Sequence, residues 1–280
     1  MKHKIKMVGL DLDGTLLTTK KELSTYSKAV LEEAIRQGVA VVIATGRPIS
    51  AIAKDVLAIE GIRYALTSNG ARILDMETGE VLVESMLAKS KTEELLRLLE
   101  HYDAILEIFI DGVSYVRKKE FDFVYDYYDN PSAAKYMLDT RNPVEDLFVV
   151  LSEKGKAVDK VHCIFKHMEE QREATALLRE VEGIVAESSY GFNIEINKAG
   201  TDKGIGLLRL GEALGIRQEE IMACGDAMND YEMLKAVGFA VAMDNAVPKV
   251  KELADYVTAS NDEDGVAKAI ERFVLDFEER

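Results

Sequence analysis

Val8-Gly9-Leu10-Asp11-Leu12-Asp13-Gly14-Thr15-Leu16-Leu17 is the stretch around which the chain is organised. The apolar run from Ile5 to Leu10 predicts a short buried strand that ends abruptly in two carboxylates and a glycine. Asp11 and Asp13, one residue apart, would face opposite ways if the strand continued. Gly14 lets the backbone turn, so both acids can converge beyond the strand's carboxyl end, where open α/β sheets place their ligands. Two converging carboxylates repel, and the simplest relief is a divalent metal between them. Taken alone, the same residues also suit a strand end followed by an Asx-turn.

At 280 residues and 48% hydrophobic, the chain can form one large or two moderate domains with a sizeable core. A net charge of -15 argues against a nucleic-acid-binding surface, and any site for an anion must supply its own local positive charge. Cys163 and Cys224 both lie in apolar strand-like runs, which argues against a structural disulfide and for a reducing cytoplasm. Asp11 and Asp13 interrupt the N-terminal apolar run too early for a secretory leader. No apolar run approaches the ~18 residues of a membrane span.

Beyond the opening strand, Leu23–Gln37 reads as an amphipathic helix capped by Ser24 and closed by Gly38. Val39–Ala44 reads as a strand buried on both faces, with Pro48 in the first turn of a following helix. Arg63–Thr67 gives a third strand, and Ile73–Glu84 a hairpin around Thr78-Gly79. From about Ser85 the pattern changes. Ser90-Lys91-Thr92-Glu93 predicts a capping box opening a helix through Leu99, and Asp111-Gly112 predicts a hairpin between Ala104–Ile110 and Val113–Arg117. Lys160–Phe165 reads as a strand, Glu169–Val181 as a helix, and Ile184–Ser189 and Phe192–Ile196 as strands, whereas Glu120–Pro143 has no legible period.

After Asn197 the alternation of helix and strand resumes: helix Ile205–Leu214, strand Glu220–Cys224, helix Tyr231–Val237, strand Phe239–Met243, a helix started by Asn245 and Pro248, strand Tyr256–Thr258 and a closing helix Gly265–Phe277. The expected fold is α/β, with a doubly wound parallel-sheet, Rossmann-like core from residues 1–84 and 192–280. An α+β cap domain is expected as an insert at residues 85–191.

Three further places break local rules. Thr45-Gly46-Arg47 follows the second strand, where a hydroxyl and free N–H groups suit an anion or an ordinary helix cap. Lys203 opens a helix against the helix dipole, an opposition of roughly 0.3–1 kcal/mol that invites a bound anion, although a solvated lysine fits as well. Cys224-Gly225-Asp226-Ala227-Met228-Asn229-Asp230 places Asp226, Asn229 and Asp230 after another strand. Asp11, Thr45 and Asp226 all fall at carboxyl ends of predicted parallel strands, where they can meet.

With these residues in hand, the chain resembles the haloacid-dehalogenase superfamily of phosphohydrolases. Asp11-Leu12-Asp13-Gly14-Thr15, Thr45 in Ala44-Thr45-Gly46-Arg47, Lys203, and Gly225-Asp226-Ala227-Met228-Asn229-Asp230 match its four motifs in order. The insert, Ser68-Asn69-Gly70, Val241-Ala242-Met243-Asp244-Asn245-Ala246, Tyr256-Val257-Thr258 and Asp264-Gly265-Val266-Ala267 resemble its Cof-type branch, within which the chain is similar to sugar-phosphate phosphatases.

The resemblance implies a phosphatase with Asp11 as nucleophile, an aspartyl-phosphate intermediate and Asp13 as acid and base. It further implies Mg²⁺ held by Asp11, the Asp13 carbonyl and Asp226, with Asp230 orienting a metal-bound water or Lys203. Lys203, the Leu12 N–H, Thr45, Gly46 and Asn229 would bind the phosphoryl group. The expected partner is a small phosphate ester, with neither nucleic acid nor membrane, for a monomer or homodimer. The insert is expected to control substrate choice and to close over the site. Tyr125, Tyr127, Tyr128, Arg117 and His162 either face the substrate or belong to the core or the surface of the cap. A phosphomutase or phosphotransferase acting on sugar phosphates is the alternative enzyme, and a phosphorylation-dependent regulatory binding protein the alternative of another class.

Overall fold

Met7–Leu10 is completely buried, as a strand must be when parallel partners flank it. In this computed structural model, which describes residues 4–154, 157–189 and 191–275, those partners are Ala40–Ala44 on one side and Ile221–Gly225 on the other. The chain forms two units. The first contains the chain up to Gly46, Ile52–Val83 and the chain from Asp202 on.

The sheet of the first unit runs Tyr256–Val257, Phe239–Ala242, Ile221–Gly225, Met7–Leu10, Ala40–Ala44, Tyr64–Thr67, Arg72–Asp75, Glu80–Glu84. The first six strands are parallel, and Arg72–Asp75 turns back antiparallel on Tyr64–Thr67. The strand order reverses beside Met7–Leu10, so a crevice opens at its carboxyl end against that of Ile221–Gly225. Ser24 caps the helix Thr25–Arg36 by accepting the Ser27 N–H. Pro48 leads only into a 3-10 turn, Ile49–Ala51, instead of a full helix. The closing helix is Gly265–Phe273, and the end of its expected span at Phe277 lies outside the described residues.

The helix Lys203–Ala213 packs directly on the first strand. A Cβ on Gly9 would stand 2.3 Å from Leu207 Cδ1, so only glycine permits this approach. Leu207 lies four residues after Lys203 on the same helix face, so its anchorage sets the lysine above the strand's carboxyl end. No helix among the described residues is long and apolar enough to cross a membrane.

The second unit comprises Glu84–Thr201 together with Arg47–Ala51. Residues 192–201, expected on the core side of the boundary, therefore belong with the insert. The reason is pairing: Asn193–Lys198 lies between Ile184–Glu187 and Lys160–Phe165, antiparallel to both. Arg47–Ala51 joins through the Ser50 N–H on Gly112 O (3.1 Å) and through the Arg47 guanidinium, 4.0 Å from the Tyr136 ring centroid. The sheet order is Ile184–Glu187, Asn193–Lys198, Lys160–Phe165, Ala104–Ile110, Val113–Arg117, Asn142–Val144. Asp111 and Gly112 both take positive φ, as a type I′ turn demands. The expected capping box at Ser90 does not form. The helix Lys89–Leu99 starts two residues earlier, capped by Ala88 without a side-chain bond.

One face of this sheet packs Leu106, Ile108, Val161, Phe165, Ile194 and Ile196 against apolar residues of neighbouring helices. The other carries the cross-strand row Glu107, His162, Glu195. Arg141 Nε lies 2.9 Å from Glu107 Oε2, His162 Nδ1 2.5 Å from Glu107 Oε1, and Lys160 Nζ 2.6 Å from Glu195 Oε2. Burial alone would raise both glutamates, but Arg141 with His162 at Glu107, and Lys160 with His162 at Glu195, hold them well below the usual carboxylate range.

A carboxyl depressed in the folded state stabilises it above the unfolded value of about 4.5, and that contribution is lost as pH falls. The second unit should therefore weaken on acidification below about pH 4.5. Glu107→Gln strands the Arg141 charge and should cost about 3–5 kcal/mol near neutrality, with a shallower acid decline than the parent. Thermal melts of both proteins across this range test it. Equal acid declines would show that the loss comes from other groups.

Candidate active site

Asp11 follows the buried first strand directly, and its N–H donates to Cys224 O (3.2 Å), extending the parallel pairing by one residue. The chain then folds into a tight loop: Leu16 N–H returns to Asp11 O (3.2 Å), and Leu12 O accepts from Leu17 (2.9 Å) and Thr15 (3.4 Å). Gly14 sits at φ +83°, and a Cβ there would stand 2.4 Å from Asp226 Oδ2. The glycine thus serves both the turn and the close approach of the Asp226 carboxylate.

Lys203 is fully buried, as is Asp230, and Asp11 is 5% exposed. Lys203 Nζ donates to Asp11 Oδ1 at 2.7 Å and to Asp230 Oδ1 at 2.6 Å. The other Asp230 oxygen accepts the N–H groups of Asp226 (2.9 Å) and Ala227 (3.1 Å), so both its oxygens are committed to holding neighbours in place. Thr15 Oγ1 donates to Asp226 Oδ1 at 3.1 Å. Burial works against a charged Lys203, but Asp11 and Asp230 outweigh it and keep the ammonium protonated.

Asp11, Asp226 and Asp230 each offer a carboxylate oxygen, and these atoms lie within 4.8 Å of one another. With all three carboxyls ionised, the one ammonium would leave two negative charges unbalanced, and hard oxygen donors of this kind suit Mg²⁺, Ca²⁺ or Mn²⁺. The donor set therefore fits a divalent cation. Burial, then the Asp230 charge, pushes Asp11 up to about 7, with Lys203 pulling the other way. The same two causes, in that order, push Asp226 up to about 8, opposed by Thr15 and Lys203.

Thr45 is buried at the end of Ala40–Ala44, its N–H on Leu66 O (2.8 Å) and its carbonyl accepting from Asn69 (3.0 Å). Gly46 is the last residue of this unit before Arg47, and Asn229 occupies the 3-10 turn Met228–Asp230. The Asp13 side chain is engaged by Lys21, whose Nζ lies 2.6 Å from Asp13 Oδ1. Sequence reasoning misses Lys21, because a lysine in a polar loop reads as a solvated charge. Its φ of +65°, which brings it round, leaves no mark in the sequence. In the sequence Asn245 reads as a start of the helix at Pro248 and as part of a motif, whereas the helix Pro248–Leu253 is capped by Val247. In the structure the Asn245 amide donates to Gly14 O at 2.8 Å and accepts the Asn261 N–H at 3.0 Å.

An open α/β sheet whose switch point holds a buried lysine, two buried aspartates and a third that is half-buried suits an enzyme of the Rossmann-like phosphohydrolase type. A model of haloacid dehalogenase-like hydrolases matches residues 8–270, and the chain belongs to that family. Phosphatase YwpJ of Bacillus subtilis (strain 168) is 33% identical, covering 94% of this chain and 98% of its own. The 5-amino-6-(5-phospho-D-ribitylamino)uracil phosphatase YcsE of the same organism is 31% identical, covering 97% and 96%. A solved haloacid dehalogenase subclass IIB sugar phosphatase superposes with a TM-score of 0.81 at 27% identity, over 96% of this chain and 98% of that one.

The raised carboxyls carry a stability consequence. Asp11 and Asp226 titrate well above the unfolded value of 3.8, so the native state holds protons that the unfolded state releases. Their contribution is fully present below that value and is lost as pH rises through about 7 and 8. With a chelator present, the melting temperature should fall between about pH 5.5 and about pH 8.5, and excess divalent cation should flatten the decline. Identical slopes with chelator and with cation would refute this account.

Proposed function

We propose that this chain is a Mg²⁺-dependent phosphatase that hydrolyses small phosphate monoesters, most simply sugar or sugar-alcohol phosphates, through an aspartyl-phosphate on Asp11. The observation that carries the reading is the Asp11 carboxylate held at the sheet's switch point by a fully buried Lys203. A carboxylate approaching a phosphate dianion needs that repulsion cancelled. Asp11, the Asp13 main-chain carbonyl and Asp226 would hold Mg²⁺, with Asp230 fixing Lys203 beside them. When bound, the cation neutralises charge on the phosphoryl oxygens.

In the first step an Asp11 oxygen bonds to phosphorus, the ester P–O bond breaks, and Asp13 gives its proton to the departing alkoxide. In the second, Asp13 takes a proton from water, the water oxygen bonds to phosphorus, and Asp11 leaves as carboxylate. Lys203, the Leu12 N–H, Thr45, Gly46 and Asn229 are the groups assigned to the phosphoryl oxygens. Lys21 gives Asp13 a counter-charge in its ionised form, the form required to activate water. The relatives support the substrate class: one acts on a phosphorylated ribityl chain, and one solved neighbour is a sugar phosphatase. The second unit, which contributes none of the carboxylates of this centre, is read as the element that selects the substrate, in a cytoplasmic protein.

Asp11→Asn keeps the shape and removes the nucleophile's charge, so Mg²⁺-dependent phosphatase activity should disappear. Full turnover with the amide confirmed intact by mass spectrometry would end the mechanism. Asp13→Ala should separate substrates by leaving group. General acid help is typically worth roughly 10²–10⁴-fold, so release of a sugar alcohol in a single turnover should slow by about that factor. Release of nitrophenolate, which needs no proton, should slow far less. Equal slowing of both, with Mg²⁺ binding retained, would remove Asp13 from the acid role.

A further inference from the structure

We propose that Asn245 is a positioning residue for the metal-binding carboxylate Asp226, clamping it against the Gly14 turn. The proposal rests on the reading that Asp226 helps to hold a divalent cation. Asn245 lies in the turn after the strand Phe239–Ala242. That turn is fastened to the Asp226 loop by two backbone bonds, Val247 N–H to Asp226 O at 3.0 Å and Met243 N–H to Gly225 O at 3.1 Å. Its side chain therefore travels with Asp226.

Two partners settle the orientation of the Asn245 amide. The Asn261 N–H can only donate, and it lies 3.0 Å from Asn245 Oδ1. The Gly14 carbonyl can only accept, and it lies 2.8 Å from Asn245 Nδ2. One hydrogen of the NH₂ group is thereby committed to Gly14, and the Asp226 Oδ2 atom lies 3.5 Å from the same nitrogen. This second distance is long for a strong bond, so the amide steers the carboxylate without holding much of its charge. Thr15 Oγ1 takes the opposite oxygen, Oδ1, at 3.1 Å. Asp226 is thus caught between a hydroxyl from the turn and an amide from the far loop, with Gly14 close beneath it.

Asn261 extends the clamp. Its own side chain donates to Leu17 O at 2.9 Å, so two successive amides grip the nucleophile turn at Gly14 and at Leu17. The turn that carries Asp13 and the loop that carries Asp226 are in this way joined through side chains that bear no charge. Neutral amides are well matched to this position, since another carboxylate would add to the local acid excess and a cation would compete for the same oxygens.

Groups that orient metal ligands typically affect metal affinity by about 10–100-fold. Mg²⁺ binding to the 280-residue chain, measured by isothermal titration calorimetry, is the direct readout, and the melting temperature in chelator is the control for folding. Asn245→Ala should bind Mg²⁺ about 10–100-fold more weakly, with a chelator melting temperature near that of the parent. Its phosphatase kcat should recover at saturating Mg²⁺, because the reacting groups are untouched. Asn245→Leu, close in volume and without a donor, should behave alike. Mg²⁺ affinity equal to the parent's in both variants, while Asp226→Asn abolishes binding, would overturn the role of Asn245 and leave the metal reading intact. If both variants fail to fold in chelator, Asn245 is a determinant of the fold and the proposal is likewise overturned. If the parent itself binds no Mg²⁺, the metal reading fails, and the proposal with it.

Discussion

The buried ammonium of Lys203 is the constraint on which the first unit depends. Removing such a group from water costs several kcal/mol unless opposite charges meet it in good geometry. Here two carboxylates do, at 2.6 and 2.7 Å. The consequence is structural before it is chemical, since the lysine ties the end of the first strand, the start of a helix and the loop after a distant strand to one point. Each tie has its own support. Asp202 caps the helix through the Ile205 N–H, Leu207 seats it on Gly9, and Asp230 is fixed from behind by two backbone N–H groups. Lys203 opposes the helix dipole only by tenths of a kcal/mol to about 1 kcal/mol, which the paired charges easily exceed.

A chain with a net charge of -15 repels a phosphate ester at long range, and the centre itself holds more acid than base. Recognition of such a substrate would therefore depend on charge delivered within a few ångströms, from Lys203 and from a divalent cation on the aspartates. On this view the cation answers two needs, relieving the crowded carboxylates and presenting positive charge to the phosphate. The strand order puts the aspartates that would hold such a cation at one place, because the carboxyl ends of Met7–Leu10 and Ile221–Gly225 flank the point where the sheet reverses.

The legible part of this architecture is the part written in local pattern. Buried parallel strands read as unbroken apolar runs, and acids, a hydroxyl or a lysine interrupting them at strand ends mark where the ends converge. Asp11, Asp226, Asp230 and Lys203 are therefore visible as a set. Lys21 and Asn261 are not, since each finds its partner through loop geometry that polar residues do not announce. The edge of the insert escapes sequence reading for a related reason. Asn193–Lys198 alternates as an antiparallel strand does, but it directly precedes the resumed α/β pattern, and its pairing with Val161–Ile164 assigns it to the insert. The Ser90 capping box fails because Ala88 ends a short strand, Leu87–Ala88, paired with Ala157–Val158, so the helix begins as soon as that pairing stops.

The two units bury acids in opposite ways. Glu107 and Glu195 are as deeply buried as Asp11, yet their carboxyls are depressed while those of Asp11 and Asp226 are raised. Burial pushes all four upward. What differs is the company: Glu107 has Arg141, Glu195 has Lys160, and each pair is electrically complete. In the first unit, three carboxylates share one lysine. A balanced network needs nothing further and serves the fold. An acid excess at a sheet's switch point is destabilising for the fold alone, and it is matched to ligands that bring positive charge with them.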